Sequence, residues 1–262
     1  MKGRVIVDRE GSVATVTVSH PAKKNALNLK ILAELQKAFG DLAGEETRCV
    51  VLRGEGEEAF CAGYDIGAIP AGGSGEAQVL LSSNPFDDMI RSVESFPAPV
   101  IAMLNGFAFG GGLEMAIACD IRIASDQAVF GMTPARLGVI YRPAGLMRFV
   151  NTIGLPATKE LFYTARKVIA RRAYDLKLVN RICPPEELSQ VTCEMAKEIA
   201  ENAPISIRGT KRILSMCMAF RGLPPGDAEE AEGWIRRCME SRDLKEGKKA
   251  FAEKRKPEFT GR

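Results

Sequence analysis

The stretch Val100-Ile101-Ala102-Met103-Leu104-Asn105-Gly106-Phe107-Ala108-Phe109-Gly110-Gly111-Gly112-Leu113-Glu114 decides how this chain is read. An apolar run ends in three consecutive glycines, and a helix-like pattern follows with an acid in its first turn. Glycines carry no side chain, so a ligand can approach their backbone closely. A helix beginning there presents N–H groups that have no intrahelical partner, and the positive end of its dipole. That combination suits an anionic oxygen with Glu114 beside it. Taken alone, it equally suits a tight turn followed by an acid that the dipole favours.

Outward from this stretch, the chain alternates strands and helices. Val5-Ile6-Val7 and Val13–Val18 flank the turn residues Glu10-Gly11-Ser12, which predicts a hairpin. Asn28 is placed to cap a helix whose apolar residues Ile31, Leu32, Leu35, Phe39 and Leu42 fall at helical spacing. Strands are expected at Cys49–Gly54, Ala59–Gly63 and Pro99–Met103, with a Gly/Ser-rich loop at 71–84 and a helix near 85–95 between the last two. Such alternation predicts parallel βαβ units, in which ligands bind beyond the carboxyl ends of strands. The loops at Gly63 and Gly111 lie at two such ends. From about residue 155 the pattern reads as helical throughout, punctuated by Pro156, Pro184-Pro185, Pro204 and Pro224-Pro225. The expected organisation is an α/β core over residues 1–200 and a helical region over 201–262.

The bulk properties remove several function classes. The 262 residues are 46% apolar and 26% charged, which is ordinary for a globular protein. A net charge of +3 is too small to argue for nucleic acid. No apolar run approaches the length of a membrane span, and the charged N-terminus does not read as a signal peptide. Seven cysteines at wide spacing, with no CxxC, predict reduced thiols and a cytoplasmic setting. Cys61 and Cys119 have no basic partner nearby in sequence and read as buried, inert thiols. A single histidine, His20, argues against a His-based metal site or a Ser-His-Asp triad; before Pro21 it reads as a turn residue.

What remains is chemistry by backbone and carboxylate. Two glycine loops at strand ends can each donate one N–H to the same oxygen, an arrangement in which each donor contributes roughly 3–4 kcal/mol to a developing oxyanion. A phosphate loop is a poor match, since there is no GKS/T and the glycines do not fit GxGxxG.

Ala62-Gly63-Tyr64-Asp65-Ile66, together with Asn105–Asp120, resembles the crotonase (enoyl-CoA hydratase/isomerase) superfamily. The similarity extends from Pro21-Ala22-Lys23-Lys24-Asn25-Ala26-Leu27, through Phe130-Gly131-Met132-Thr133-Pro134, to Phe251–Pro257. This resemblance implies an α/β fold, a crotonase-like spiral of βαβ units with a helical C-terminal trimerisation region, in a homotrimer or homohexamer. It implies that the backbone N–H groups of Tyr64 and Gly111 bind the thioester oxygen of an acyl-CoA substrate. It places the CoA nucleotide along Lys23, Lys24, Ala26 and Ala62, with Phe251 and Lys254 approaching from a neighbouring subunit. No cofactor is implied beyond the coenzyme A moiety of the substrate, and no metal.

The reaction turns on what accompanies Glu114. Hydratases of the family use two glutamates; the first matches Glu114, and the second aligns with Pro134, which can do no acid–base work. Val139-Ile140-Tyr141-Arg142-Pro143 replaces a glycine-rich turn and brings a phenol and a guanidinium toward the pocket. Met132-Thr133-Pro134, Leu137-Gly138-Val139 and Tyr141 resemble the branch of the family that decarboxylates methylmalonyl-CoA, although that branch is similar with histidine where Tyr64 stands. Decarboxylation is the leading expectation. Hydratase or isomerase chemistry with Glu114 as sole acid/base is the alternative, and a non-catalytic CoA-binding scaffold is a third. Tyr141 is the candidate for contact with the substrate carboxylate. Arg142 reads more readily as an ion-pair residue, and Asp65 as a turn acid.

Overall fold

The computed structural model describes residues 3–44, 46–65, 84–219, 229, 233, 236 and 239–258. The Gly/Ser-rich 71–84 segment, except Asn84, lies outside these residues.

Strands β1 (Arg4–Glu10) and β2 (Val13–Ser19) form the expected antiparallel hairpin. Helix α1 (Leu29–Leu42) follows, and the Asn28 side chain accepts from Ile31 N to cap it. Strands β3 (Cys49–Gly54) and β4 (Ala59–Cys61) come next, then α2 (Pro85–Glu94), β5 (Val100–Leu104) and β6 (Phe107–Phe109). Helix α3 (Gly111–Ala118) leads to β7 (Ile121–Ser125) and β8 (Val129–Gly131). Among the described residues, one six-stranded sheet and one four-stranded sheet result.

The larger sheet has the order β1-β2-β3-β5-β7-β10, where β10 is Arg181–Cys183. From β2 onward every pairing in it is parallel. Strands β3 and β5 are buried along nearly their whole length because helices cover both faces. Their side chains divide by parity. Val50, Leu52, Val100, Ala102 and Leu104 join the main core with α1 and α2, whereas Cys49, Val51, Ile101 and Met103 join a second core under α7 (Pro185–Glu201). This two-sided burial is why the strands read as unbroken apolar runs.

The smaller sheet has the order β4-β6-β8-β9, where β9 is Val168–Ile169. The chain therefore crosses repeatedly from one sheet to the other: β3 then β4, β5 then β6, β7 then β8. The three pairs stack in the same order in both sheets, which is the spiral of parallel turns expected. The apolar stretch that opened the sequence reading is two strands in different sheets. Asn105 makes the corner between them, donating to Gly56 O and Ala59 O and accepting from Gly54 N.

The region beyond residue 155 is not helical throughout. Strand β9 pairs antiparallel with β8, and β10 closes the larger sheet beside β7. With two and three residues, neither strand is long enough to show a period of its own; pairing with an existing edge defines it. Among the described residues, the helices there are the end of α5 (Pro143–Thr164), α6 (Ala170–Asp175), α7, α8 (Pro204–Ala219) and α9 (Arg242–Ala252). Helix α5 follows the short α4 (Pro134–Leu137) and is kinked at Gly154, two residues before Pro156. Helix α9 packs on α4, with Gly247 against the Leu137 backbone. Helix α8 leaves Ile205, Ile213 and Leu214 exposed.

Asn25, in the left-handed region at φ 57°, ties the loop after β2 to the start of β4. Its buried side chain accepts from His20 N and donates to Glu55 O and Ala59 O. Asn25→Ala strands these backbone groups, so we expect a loss of about 3 kcal/mol in urea unfolding; a loss below about 1 kcal/mol would contradict that role.

Candidate active site

Strands β4 and β6 are parallel neighbours, with Cys61 beside Ala108. They end at the same edge, so the Ala62–Tyr64 and Gly110–Gly111 segments leave the sheet side by side. Leu27 N donates to Gly63 O and Asp65 N donates to Leu27 O, each at 2.8 Å. In such a bridge the flanking residues face the partner, and the N–H of Tyr64 between them points away from it. On that side lies Gly111. A Cβ built on Gly111 would stand 3.6 Å from Tyr64 N, and one on Gly63 would stand 3.5 Å from Gly111 N. The backbones of Tyr64 and Gly111 therefore lie close together, with the Phe86 ring packed against Gly111.

The glycine run is needed residue by residue. Gly110 adopts φ 51° and ψ −122°, a conformation open to glycine. At Gly112 a Cβ would lie 2.3 Å from Cys61 O, so α3 can rest on the β4 loop only without one. Gly111 is the first residue of α3, where N–H groups have no intrahelical acceptor and the helix dipole is positive. All eight residues of this helix are buried.

A cavity of about 230 Å³ opens at this point. Tyr64, Gly110, Gly111, Glu114 and Tyr141 line it, with Phe86, Pro134, Leu137, Val139 and Ile140 as its apolar walls. Glu114 is 3% exposed, and burial pushes its carboxyl up to about 7. Arg148 opposes that shift, while the charges of Asp87 and Glu94 reinforce it. Burial, with Glu114 and Cys61 adding to it, holds the Tyr141 phenol well above its ordinary value, so it remains a neutral O–H donor. Its hydroxyl stands 3.6 Å from where a Cβ on Gly110 would be, and its ring packs edge-on against Phe162. Burial pushes the Cys61 and Cys119 thiols up to about 12, which makes them inert as expected.

The remaining sequence candidates are placed as follows. Lys23 pairs with Asp65 at 2.6 Å and Lys24 with Glu58 at 2.6 Å, with the Lys24 ammonium also over the Phe107 ring. Asp65 is thus a pairing acid outside the cavity. Ala62 N donates to Lys24 O, so the Lys23–Ala26 segment and the Ala62 loop meet. Ala62 lines the cavity; Lys23, Lys24 and Ala26 do not. Phe251 and Lys254, at the end of α9, are exposed and outside it. Among the described residues no cluster of side chains could hold a metal ion, and no helix is long and apolar enough to cross a membrane.

Sequence reasoning missed the charged surroundings of Glu114. Asp87 lines the cavity and pairs with Arg142 at 3.5 Å, and Asn84 donates to it at 2.9 Å. Arg148 donates to Glu114 at 2.9 Å and to both oxygens of Glu94. Asp87 and Glu94 lie on α2, Arg142 and Arg148 at the start of α5 and Glu114 on α3, so no local pattern announces their meeting.

Glu114 couples folding to pH. Its folded pKa of about 7 lies above the ordinary 4.5, so between these values the folded chain keeps a proton that the unfolded chain releases. Stability falls as pH rises through that window, and the full cost is present above it. Glu114→Gln cannot ionise; relative to wild type it should gain up to about 3 kcal/mol between about pH 4.5 and pH 8. Urea unfolding at both pH values measures this, and a pH-independent difference would contradict it.

The enoyl-CoA hydratase/isomerase family profile matches residues 8–262. The chain is 35% identical over 250 residues to a methylmalonyl-CoA decarboxylase of Escherichia coli (strain K12), covering 95% of each. It is 36% identical over 257 residues to a short-chain-enoyl-CoA hydratase of Clostridium acetobutylicum, covering 97% of this chain and 96% of that one. A solved structure of methylmalonyl-CoA decarboxylase in complex with 2-nitronate-propionyl-CoA matches with a TM-score of 0.93 at 35% identity, covering 99% of each chain. The profile spans nearly the whole sequence and the backbone agrees throughout: this protein belongs to the enoyl-CoA hydratase/isomerase family, the crotonase superfamily that its glycine motifs resemble.

Proposed function

We propose that this protein decarboxylates a malonyl-type CoA thioester, with methylmalonyl-CoA as the leading substrate. The observation that carries this reading is Pro134. It lines the cavity with Glu114 at the position where hydratases of the family are expected to carry their second glutamate. The other carboxylate on the cavity, Asp87, is engaged by Arg142 and Asn84. A hydration that needs two free carboxylates is poorly served, whereas decarboxylation needs no base to remove a proton from carbon.

In the proposed reaction the bond between the α-carbon and the substrate carboxylate breaks and CO2 departs. The bonding electrons pass into the thioester carbonyl, giving an enolate whose oxygen sits between Tyr64 N–H and Gly111 N–H. Donors preorganised at that point stabilise charge as it develops, worth roughly 3–4 kcal/mol each. The Tyr141 hydroxyl is the group that orients the departing carboxylate. A neutral donor suits that task better than a cation, because strong pairing with the carboxylate would stabilise the ground state and slow its loss. The Arg142–Asp87 pair keeps that guanidinium partly occupied. Glu114, whose carboxyl burial pushes up to about 7, supplies the proton that the enolate carbon takes up.

The second reading, an enoyl-CoA hydratase or isomerase with Glu114 as sole acid/base, is favoured by that same pKa and by the hydratase relative. Purified protein offered methylmalonyl-CoA, malonyl-CoA and crotonyl-CoA separates the two. We expect CO2 release from methylmalonyl-CoA and little hydration of crotonyl-CoA. In Glu114→Gln, CO2 release should fall but persist, because loss of CO2 precedes the proton transfer. Hydration without CO2 release overturns the decarboxylase reading.

A further inference from the structure

Glu114 has an ion partner, yet burial raises its proton affinity, and the geometry limits how far that partner offsets it. Arg148 divides its guanidinium between two acids. Its Nε and Nη2 form a fork on Glu94 at 2.6 and 2.9 Å, which leaves Nη1 alone for Glu114 at 2.9 Å. A two-pronged pair is the stronger of the two arrangements. Glu94 thus takes most of the neutralising charge, and its side chain is the solvated one, 37% exposed against 4% for Glu114. Gly145 makes the approach possible: a Cβ there would lie 2.7 Å from Glu114 Oε1. Arg148 stands three residues later, on the same face of α5.

We propose that the Glu94–Arg148 pair is a positioning device that holds the Glu114 carboxyl on the cavity and sets its proton affinity. The other groups that face Glu114 are Asp87 on α2, which raises its proton affinity, and the Tyr141 phenol, which stays neutral. Helix α3 itself carries no further charge. Neither Glu94 nor Arg148 lines the cavity, so both act through Glu114. The link to catalysis rests on Glu114 carrying a proton in the reaction proposed above; the link to its titration does not.

Two substitutions should move Glu114 in opposite directions, which a loss of packing cannot do. Glu94→Gln removes one negative charge and frees Arg148 for Glu114, so the Glu114 pKa falls. Arg148→Met removes the cation hydrogen-bonded to it, so the pKa rises by roughly one to three units; the fall in Glu94→Gln is the smaller of the two. Arg148→Lys keeps the charge without the fork and should restore part of the shift. Glu94 is partly solvated, so Glu94→Gln keeps its fold even if Arg148→Met does not. The titration is read directly as the carboxylic C=O stretch in infrared difference spectra, assigned by its absence in Glu114→Gln. The pH–rate profile of the purified enzyme is recorded alongside. Opposite shifts support the device, and so does the fall in Glu94→Gln taken alone. An unmoved Glu114 titration in Glu94→Gln, or shifts of the same sign in both variants, overturns it. A moved titration with an unmoved pH–rate limb supports the pair and counts instead against Glu114 as the proton carrier.

Discussion

The parallel pairing of β4 with β6 is the contact on which the site depends. Neighbouring strands lie about 4.8 Å apart, and Cys61 aligns with Ala108. Two loops therefore leave one edge side by side, which brings the Tyr64 and Gly111 backbones close together. Contacts close to that edge fix both segments. Leu27 holds the Tyr64 segment by bonding the groups on either side of it. Gly112 lets α3 settle on the Cys61 carbonyl, which brings the amide of Gly111 to the other side.

Burial of α3 has a second consequence. An acid in its first turn is removed from water, and a buried carboxylate without compensation would simply stay protonated. Arg148 answers this by donating to Glu114, and two ion pairs fix α2 against the 142–148 segment: Asp87 with Arg142, and Glu94 with Arg148. The paired acids are seven residues apart on α2, so about two helical turns separate them. These pairs join α2 to the region around α5 beside the cavity, while the acids in them, Asp87 and Glu94, raise the proton affinity of Glu114.

Much of this fold was legible in the sequence, because the hydrophobic periods are strong where both faces of a strand are covered. Cys49–Gly54, the Asn28-capped helix and the opening hairpin follow from local pattern. So does the helix start at Gly111, since glycine before a buried helix has few other uses. The Asn105 corner was hidden because both strands it joins are apolar and the turn is two residues long. Strands β9 and β10 were hidden because they exist only by pairing with β8 and β7. At the site, Glu114 and Tyr141 announced themselves through motif, but the Glu94–Arg148 pair did not. Arg148 lies 34 residues from Glu114 and 54 from Glu94, and only the packing of three helices brings them together.

The central claim is that Tyr64 N–H and Gly111 N–H act together on one thioester oxygen. The direct measurement is the isotope-edited infrared spectrum of a bound acyl-CoA, such as propionyl-CoA carrying carbon-13 at the thioester carbonyl. Two converging donors weaken the C=O bond, so the stretch should fall below its frequency for the same thioester free in water. A bound stretch at or above the free value would mean that the two amides do not hold that oxygen.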